Sequence, residues 1–330
     1  MFDGKKILIT GGTGSLGKEL TKKLLEYDVD TIRVFSRDEF KQLQMESELE
    51  DSRLRYLIGD VRDKERLTRA LDGIDLVIHA AALKHVHVSE YNPFEAVKTN
   101  VNGSQNLIEA CLDTNVKFVL AIGTDKAVSP YNTYGATKFL MERLFVAANN
   151  YKGKRGIKFS CVRYGNVLGS RGSLVPILVN QIKKGKKITL TDPNMTRFTV
   201  TMSSALELIF RAIKNSVRGE IFVPKLKAYK TGDVMKAVIE LLNAKNDVQR
   251  IPVRPGEKFH EALISKDEIR NTYEDKDDYL IIDKQIQLDP ERQKNKDIVR
   301  TSLKEDYSSD KVELISKDEI KKILSKEQLV

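Results

Sequence analysis

The chain has 330 residues, with 56 Lys and Arg against 47 Asp and Glu for a net charge of +9, and 41% of its residues are hydrophobic. That length suits one large α/β domain or two coupled ones and is enough to bury a sizeable core, which excludes a disordered chain. Two cysteines, Cys111 and Cys161, cannot build a disulfide framework, and no run approaches the ~18 apolar residues of a membrane-spanning helix. The start, Met1 to Lys6, runs directly into a strand pattern without a signal-peptide apolar region, so a cytoplasmic protein with no membrane insertion is expected. The positive balance fits a Lys-rich solvated exterior or anionic small ligands. Its longest basic run, Lys183-Lys184-Gly185-Lys186-Lys187, has no interleaved aromatics for base stacking, so no nucleic acid is expected as a partner.

In chain order, short apolar runs rich in β-branched residues at 7–10, 31–35, 54–58, 76–79 and 118–122 read as buried strands. Amphipathic stretches at 16–26, 38–49, 64–72, 93–113 and 135–150 read as the helices between and after them, and a sixth strand follows at 158–163. This alternation predicts a doubly wound parallel sheet, an α/β fold, over residues 1–165. Beyond it the texture loosens into a smaller α/β second domain, 166–285, interleaved with the first and carrying helices near 174–184, 203–215, 231–243 and 259–263. A polar extension, 286–330, ends in a helix that Ser316-Lys317-Asp318-Glu319 opens as a capping box. The heptapeptide Leu-Ile-Ser-Lys-Asp-Glu-Ile occurs at 263–269 and again at 314–320, one helix-start signal used twice.

Gly11-Gly12-Thr13-Gly14-Ser15-Leu16-Gly17 lies between the first strand and the first helix. Gly11 and Gly14 let backbone approach a pyrophosphate that the helix N-terminus attracts, and Gly17 lets helix and strand pack closely, which is the pattern of a dinucleotide site. After the second strand comes Ser36-Arg37, with Lys41 a turn later, where an NAD site usually carries an acid. This favours NADP, although the nearby Asp38 and Glu39 leave NAD open. Asp60 and Val61 follow the third strand and are placed to meet an adenine edge, Asp60 alternatively capping the next helix. Ala80 and Ala81 end the fourth strand with side chains small enough for a cofactor to lie against.

Tyr134 and Lys138 stand four apart on one helix face, where an ammonium is expected to lower the phenol's pKa and make the pair a proton-transfer device. Thr124, Asp125 and Lys126 end the fifth strand, on the edge where open α/β sheets hold ligands. The acid serves as proton donor if its pKa is raised and the amine as acceptor if its pKa is lowered. His79, His85, His87 and His260 lack the surrounding ligands of a metal site, so no metal is expected, and His79 reads as a satisfied strand residue.

The run Thr124-Asp125-Lys126-Ala127-Val128-Ser129-Pro130-Tyr131-Asn132-Thr133-Tyr134-Gly135-Ala136-Thr137-Lys138 resembles the active-site segment of inverting UDP-N-acetylglucosamine 4,6-dehydratases, extended short-chain dehydrogenase/reductases that begin pseudaminic acid synthesis. Further matches lie at Phe35 to Glu39, His79 to Val86, Arg163 to Val167, Met195 to Phe198 and Arg254 to Lys258. The resemblance implies that Tyr134 and Lys138 deprotonate the sugar O4, with Thr124 bonding near that oxygen, that Lys126 removes the C5 proton and that Asp125 protonates the departing C6 hydroxyl. It also implies a UDP-sugar site in the second domain holding the substrate through Lys84, Asn166, Arg171, Arg197, Arg254 and Glu257, and a dimer or hexamer. Tyr134 and Lys138 alone would suffice for a UDP-sugar 4-epimerase, and a retaining dehydratase shares the fold. A non-catalytic NADP-sensing protein would keep the Gly-rich turn and lose the proton-transfer residues.

Overall fold

The computed structural model describes residues 1–217, 219–282 and 298–330, so the expected boundary at 285/286 lies outside the described residues. Strands β1 (Lys6–Thr10), β2 (Thr31–Ser36), β3 (Leu54–Ile58), β4 (Leu76–His79), β5 (Phe118–Ile122) and β6 (Lys158–Val162) pair in parallel in the order β6-β5-β4-β1-β2-β3. Between β1 and β6 lie α1 (Ser15–Leu24), α2 (Glu39–Leu49), α3 (Lys64–Ala70), α4 (Val86–Tyr91), α5 (Pro93–Ala96), α6 (Gly103–Leu112) and α7 (Thr133–Tyr151). The buried faces of β1, β4 and β5 are almost wholly aliphatic, as strands covered by helices on both sides require. His79 satisfies its ring inside this core, Nδ1 lying 2.7 Å from the Thr10 hydroxyl and Nε2 3.1 Å from that of Ser104. Cys111 and Cys161 are both buried and free.

The expected helix over 93–113 is interrupted. Val97–Asn102 forms a π-helical stretch between α5 and α6, and the buried Asn100 side chain there bonds both backbone polar groups of Leu83 and the Thr137 hydroxyl. That widened turn thus ties the segment after β4 to α7.

The remaining elements are β7 (Ile188–Leu190), β8 (Thr196–Phe198), β9 (Ile221–Pro224), β10 (Ala228–Lys230), β11 (Val248–Arg250), β12 (Ala262–Ile264), β13 (Thr272–Glu274), β14 (Asp278–Ile281), β15 (Val299–Arg300) and β16 (Tyr307–Ser308). With them come α8 (Leu174–Lys183), α9 (Met202–Asn215), α10 (Thr231–Leu241), α11 (Lys266–Ile269) and α12 (Lys317–Lys326). Strand β9 joins β6 in parallel, and β14, β13 and β15 continue the same sheet antiparallel, so ten strands run across the change of texture at residue 165.

The helix expected near 259–263 is a strand instead. Residues 262–264 form β12, which pairs antiparallel with β16 through a register irregularity between Ala262 and Ile264, and Glu261, Leu263 and Ile264 are all buried. The local apolar spacing was too short to separate the two states, and the partner strand lies more than 40 residues downstream.

Both copies of the repeated heptapeptide start helices. Ser265 opens the single turn α11, and Ser316 opens α12, where the Ser316 backbone N–H donates to the Glu319 carboxylate at 2.8 Å. Residues after 306 are integral to the packing: Tyr307 sits in the main core, while Ile315, Ile320 and Leu324 join Val175, Leu178 and Val238 in a second one. A buried network fastens the two regions. Arg163, just after β6, pairs with Glu142 of α7 at 2.6 Å and with Glu268 of α11 at 2.9 Å, and its Nη1 donates to the Leu263 carbonyl.

Leu324 is fully buried in the second core. Leu324→Ala is expected to lower unfolding free energy by about 2–5 kcal/mol in a denaturant titration. A loss well under 1 kcal/mol would show that α12 does not share that core.

Candidate active site

Gly11 has φ of 68°, and a Cβ on it would stand 2.8 Å from the Ala81 nitrogen, so the turn after β1 presses against the end of β4 through bare backbone. A Cβ on Gly17 would meet Gly12 at 2.5 Å, which is how closely α1 packs on its own turn. Helix α1 begins at Ser15 with no side-chain cap and no acid in its first turn, leaving its N-terminal N–H groups to face an anion. Beside it opens a cavity of 610 Å³ whose walls include Thr13, Gly14, Ser15, Lys41, Arg171 and Leu329. This is a cradle that a cofactor pyrophosphate fits. Leu16 is partly buried against the core behind it.

At the ribose edge, buried Ser36 accepts from Gln42 at 3.0 Å through its hydroxyl. Asp38 caps α2, accepting from the Lys41 backbone N–H at 3.0 Å, and its carboxylate also pairs with the Lys41 ammonium. Arg37 is 54% exposed, 3.5 Å from Asp60. Asp60 does not cap the helix after β3: Asp63 does, accepting from the Arg66 N–H, while Asp60 accepts from the backbone and guanidinium of Arg62. Val61 is buried beside Gly103.

The second cluster lies on the 3-10 turn Asp125–Ala127 after β5. Helix α7 runs against it so closely that a Cβ on Gly135 would sit 2.1 Å from the Lys126 carbonyl. The Thr124 hydroxyl donates to Asp125 Oδ1 at 2.9 Å and shares a hydrogen bond with Tyr134. Lys126 Nζ donates to Asp125 Oδ1 and Asn166 Oδ1, each at 3.0 Å, and lies 3.3 Å from Glu261 Oε1. Asp125 and Glu261 are both buried, and Asp125 Oδ2 and Glu261 Oε2 have no hydrogen-bond partner among the described residues.

Burial and neighbouring charge set the protonation of the cluster, and they reverse the expectation of a lowered phenol at Tyr134. Burial alone would strip Lys126 of its proton, but the Asp125 and Glu261 carboxylates outweigh it and hold the amine above its usual range, so Lys126 rests as an ammonium. Tyr134 is pushed up to about 12 by burial, against the lowering influence of Lys126 and Thr124. Its helix neighbour Lys138 is itself brought down to about 8 by burial, despite Glu142, and its Nζ donates to the Ile122 carbonyl at 2.6 Å. Desolvation, invisible to the i, i+4 spacing, decides both the phenol and its neighbour.

Among the residues expected to hold substrate, Asn166 joins the Lys126 cluster. Arg171 stands elsewhere: its Nη2 donates to the Thr13 carbonyl at 2.7 Å and its Nε to the Ser15 hydroxyl, which puts its guanidinium on the Gly-rich turn. Lys84 Nζ donates to the Arg171 carbonyl at 2.9 Å. Arg197 is buried, donating to the carbonyls of Thr196, Lys258 and Phe259 and lying 3.4 Å from Glu257. Glu257 also accepts from the Arg254 backbone N–H, in a loop without helix, and Arg254 is exposed.

Two side chains that hold that loop, one of them outside it, escaped the sequence reading. Lys258 donates to the carbonyls of Val128 and Ser129, and Asn132, the cap of α7, donates to the Gly256 carbonyl, so the loop is clasped to the 124–138 segment. Glu261 reaches Lys126 from the following residues. Its only local signal was an acid next to a short apolar run, readable once 262–264 is recognised as a buried strand.

Residues 7–283 match the model of a family described as polysaccharide biosynthesis protein. A UDP-N-acetylglucosamine 4,6-dehydratase (inverting) of Campylobacter jejuni is 49% identical over 283 residues, 85% of this chain and 84% of that one. An uncharacterized membrane protein of Methanocaldococcus jannaschii is 47% identical over 330 residues, 98% of this chain and 96% of its own. A UDP-glucose 4-epimerase of Rickettsia rickettsii is 38% identical over 328 residues, 98% of this chain and 96% of its own. The X-ray structure of Pen from Bacillus thuringiensis superposes with a TM-score of 0.91 at 39% identity, covering 98% of this chain and 99% of that one. Among the described residues, no helix is long and apolar enough to cross a membrane.

Proposed function

The chain belongs to the polysaccharide biosynthesis family, and we propose on that premise that it is an inverting UDP-N-acetylglucosamine 4,6-dehydratase. The product is then UDP-2-acetamido-2,6-dideoxy-beta-L-arabino-hex-4-ulose, made in the cytoplasm as the first step of pseudaminic-acid-type nucleotide sugar synthesis. One observation carries this reading: an ammonium and a carboxylate 3.0 Å apart, buried beside the Tyr134–Thr124 hydrogen bond. Removing a C5 proton while a C6 hydroxyl departs needs a base and an acid together.

When bound, a nicotinamide cofactor supplies the hydride chemistry, accepting at C4 and donating at C6. The Gly-rich turn, the N-terminus of α1 and Arg171 hold its pyrophosphate, and Ser36, Arg37 and Lys41 face its ribose, with the cationic pair favouring NADP. Asp60, Val61, Ala80 and Ala81 line the adenosine and ring-side walls. Tyr134, hydrogen-bonded to Thr124, takes the O4 proton as the phenolate, the form reached when its phenol has released its own proton to solvent; Lys126 and Thr124 favour that form and burial opposes it.

The resting protonation states then make sense as a starting point. Moving one proton along the 3.0 Å contact from Lys126 to Asp125 Oδ1 leaves a neutral amine and a neutral acid. The amine takes the C5 proton, the acid gives its proton to the leaving C6 hydroxyl as water, and the original ammonium and carboxylate are restored. Asn166 keeps Lys126 Nζ in place, while Lys84, Arg197, Arg254 and Glu257 border the UDP-sugar site. Arg197 acts there largely through the loop it organises, because its donors are already bonded.

A 4-epimerase is the second reading, favoured by the full-length likeness to the Rickettsia rickettsii enzyme. Product mass separates the two. Incubation with UDP-N-acetylglucosamine is expected to give a product lighter by one water, and Lys126→Ala to abolish it while cofactor still binds. Unchanged mass with a changed C4 configuration would favour the epimerase. Arg37→Ala is expected to weaken NADP binding about tenfold with little change for NAD, by fluorescence titration; equal loss for both would remove the 2′-phosphate role.

A further inference from the structure

Glu261 is a charged side chain that the proton-transfer scheme above does not use, yet it is among the most enclosed charges in the molecule. It is 2% exposed, its Oε1 lies 3.3 Å from Lys126 Nζ, and its Oε2 has no hydrogen-bond partner among the described residues. An acid desolvated to this degree with half its acceptors unpaired is costly for the fold. Its placement is nevertheless closely determined. The Glu261 backbone N–H donates to the Ser309 hydroxyl at 3.0 Å, and its carbonyl accepts from the Ser309 N–H at 2.8 Å. The same Ser309 hydroxyl lies 2.7 Å from that of Thr196, and β16 pairs with β12 immediately beside it.

We propose that Glu261 is a positioning residue for the C5 proton transfer, a second carboxylate that brackets Lys126 Nζ together with Asp125 and sets how firmly the pair holds the proton it shares. This rests on the reading of Lys126 as the C5 base. The bracket accounts for three partners at one ammonium: Asp125 and Asn166 at 3.0 Å and Glu261 at 3.3 Å. Only Asp125 has to exchange a proton with it, so a further fixed anion holds Nζ in place throughout the exchange. The other charged or titratable groups acting on the bracket are Arg197 from β8, Lys258 from the preceding loop, Tyr134 from α7 and Tyr229 from β10. Arg197 and Lys258 are cations that moderate the acid, and both are tied to backbone carbonyls. Burial raises the Glu261 carboxyl above its usual range, with Lys126 opposing it, so the Glu261 charge depends on its cationic neighbours.

The test is Glu261→Gln, which keeps shape and removes charge. Dehydration of UDP-N-acetylglucosamine is followed from pH 6 to 11, with folding checked at each pH by thermal melting and cofactor binding. Removing a negative charge beside Lys126 lowers its proton affinity. The alkaline limb of kcat, where the Lys126–Asp125 pair loses its one shared proton to solvent, is therefore expected to move to lower pH by about half a unit or more, with KM within about threefold of the parent. Glu261→Asp keeps the charge and is expected to hold the limb closer to the parent's than Glu261→Gln does. An unchanged limb in Glu261→Gln, or the same behaviour in both variants, overturns the proposal, as does a raised KM with an unchanged kcat profile. Should Glu261→Gln fail to fold, Ser309→Ala loosens the Glu261 backbone without altering charge, and an unchanged limb there overturns the proposal instead. Lys126→Ala runs alongside: if it still dehydrates the substrate, the base assignment itself fails, whereas its inactivity with an unmoved limb in Glu261→Gln removes only the role of Glu261.

Discussion

An ammonium held out of water needs counter-charge, and the site is organised around that requirement at Lys126. The side chain is 14% exposed, and the carboxylates of Asp125 and Glu261 reach it from segments more than 130 residues apart in sequence. Either carboxylate alone would leave less compensation for the cost of removing the ammonium from water. The arrangement therefore links a strand end of the parallel sheet to a short strand near the C-terminal region, and the active cleft forms only when both are in place.

Most of the contacts joining those segments serve that closure. Arg163 ties β6 to Glu142 and Glu268, which fixes the far side of the segment bearing Glu261. Asn132 and Lys258 clasp the 254–258 loop to the start of α7, and Arg197 spends its donors on the same loop. Ser309 fastens the backbone of Glu261 from beyond β16. The cofactor turn has its own constraints, the close approach of Gly11 to β4 and of α1 to Gly12, and Arg171 bridges the turn to the loop that follows Gly169. The Lys126 cluster and the Gly-rich turn are thus held by separate contacts within one framework.

Local pattern carried the parallel sheet, the Gly-rich turn and the 124–138 run, because each depends on neighbours within a few residues: a strand's apolar alternation, a turn's need for absent Cβ atoms, a helix face. The failures share a different physical origin. The 262–264 segment is a strand because it meets Tyr307–Ser308, and three residues cannot announce a distant partner. Glu261 was missed with it. Arg171 was read as a grip on substrate because guanidinium suits diphosphate, but its address depends on how the loop between Gly169 and Gly172 folds back over the turn. The protonation of Lys126 and Tyr134 depends on how much water the fold excludes, a property of the assembled core. Residues 307–324, polar on average, supply buried apolar groups to both cores because their few hydrophobic positions fall on one side.

The C5 centre of the product records the chemistry. The decisive measurement is the configuration and isotopic content of C5 in the product of UDP-N-acetylglucosamine formed in heavy water, read by NMR. Removal of the C5 proton, followed by protonation from the opposite face, predicts one deuterium at C5 in the inverted configuration. A dehydrated product with its C5 configuration retained, or one carrying the original hydrogen there, would contradict it.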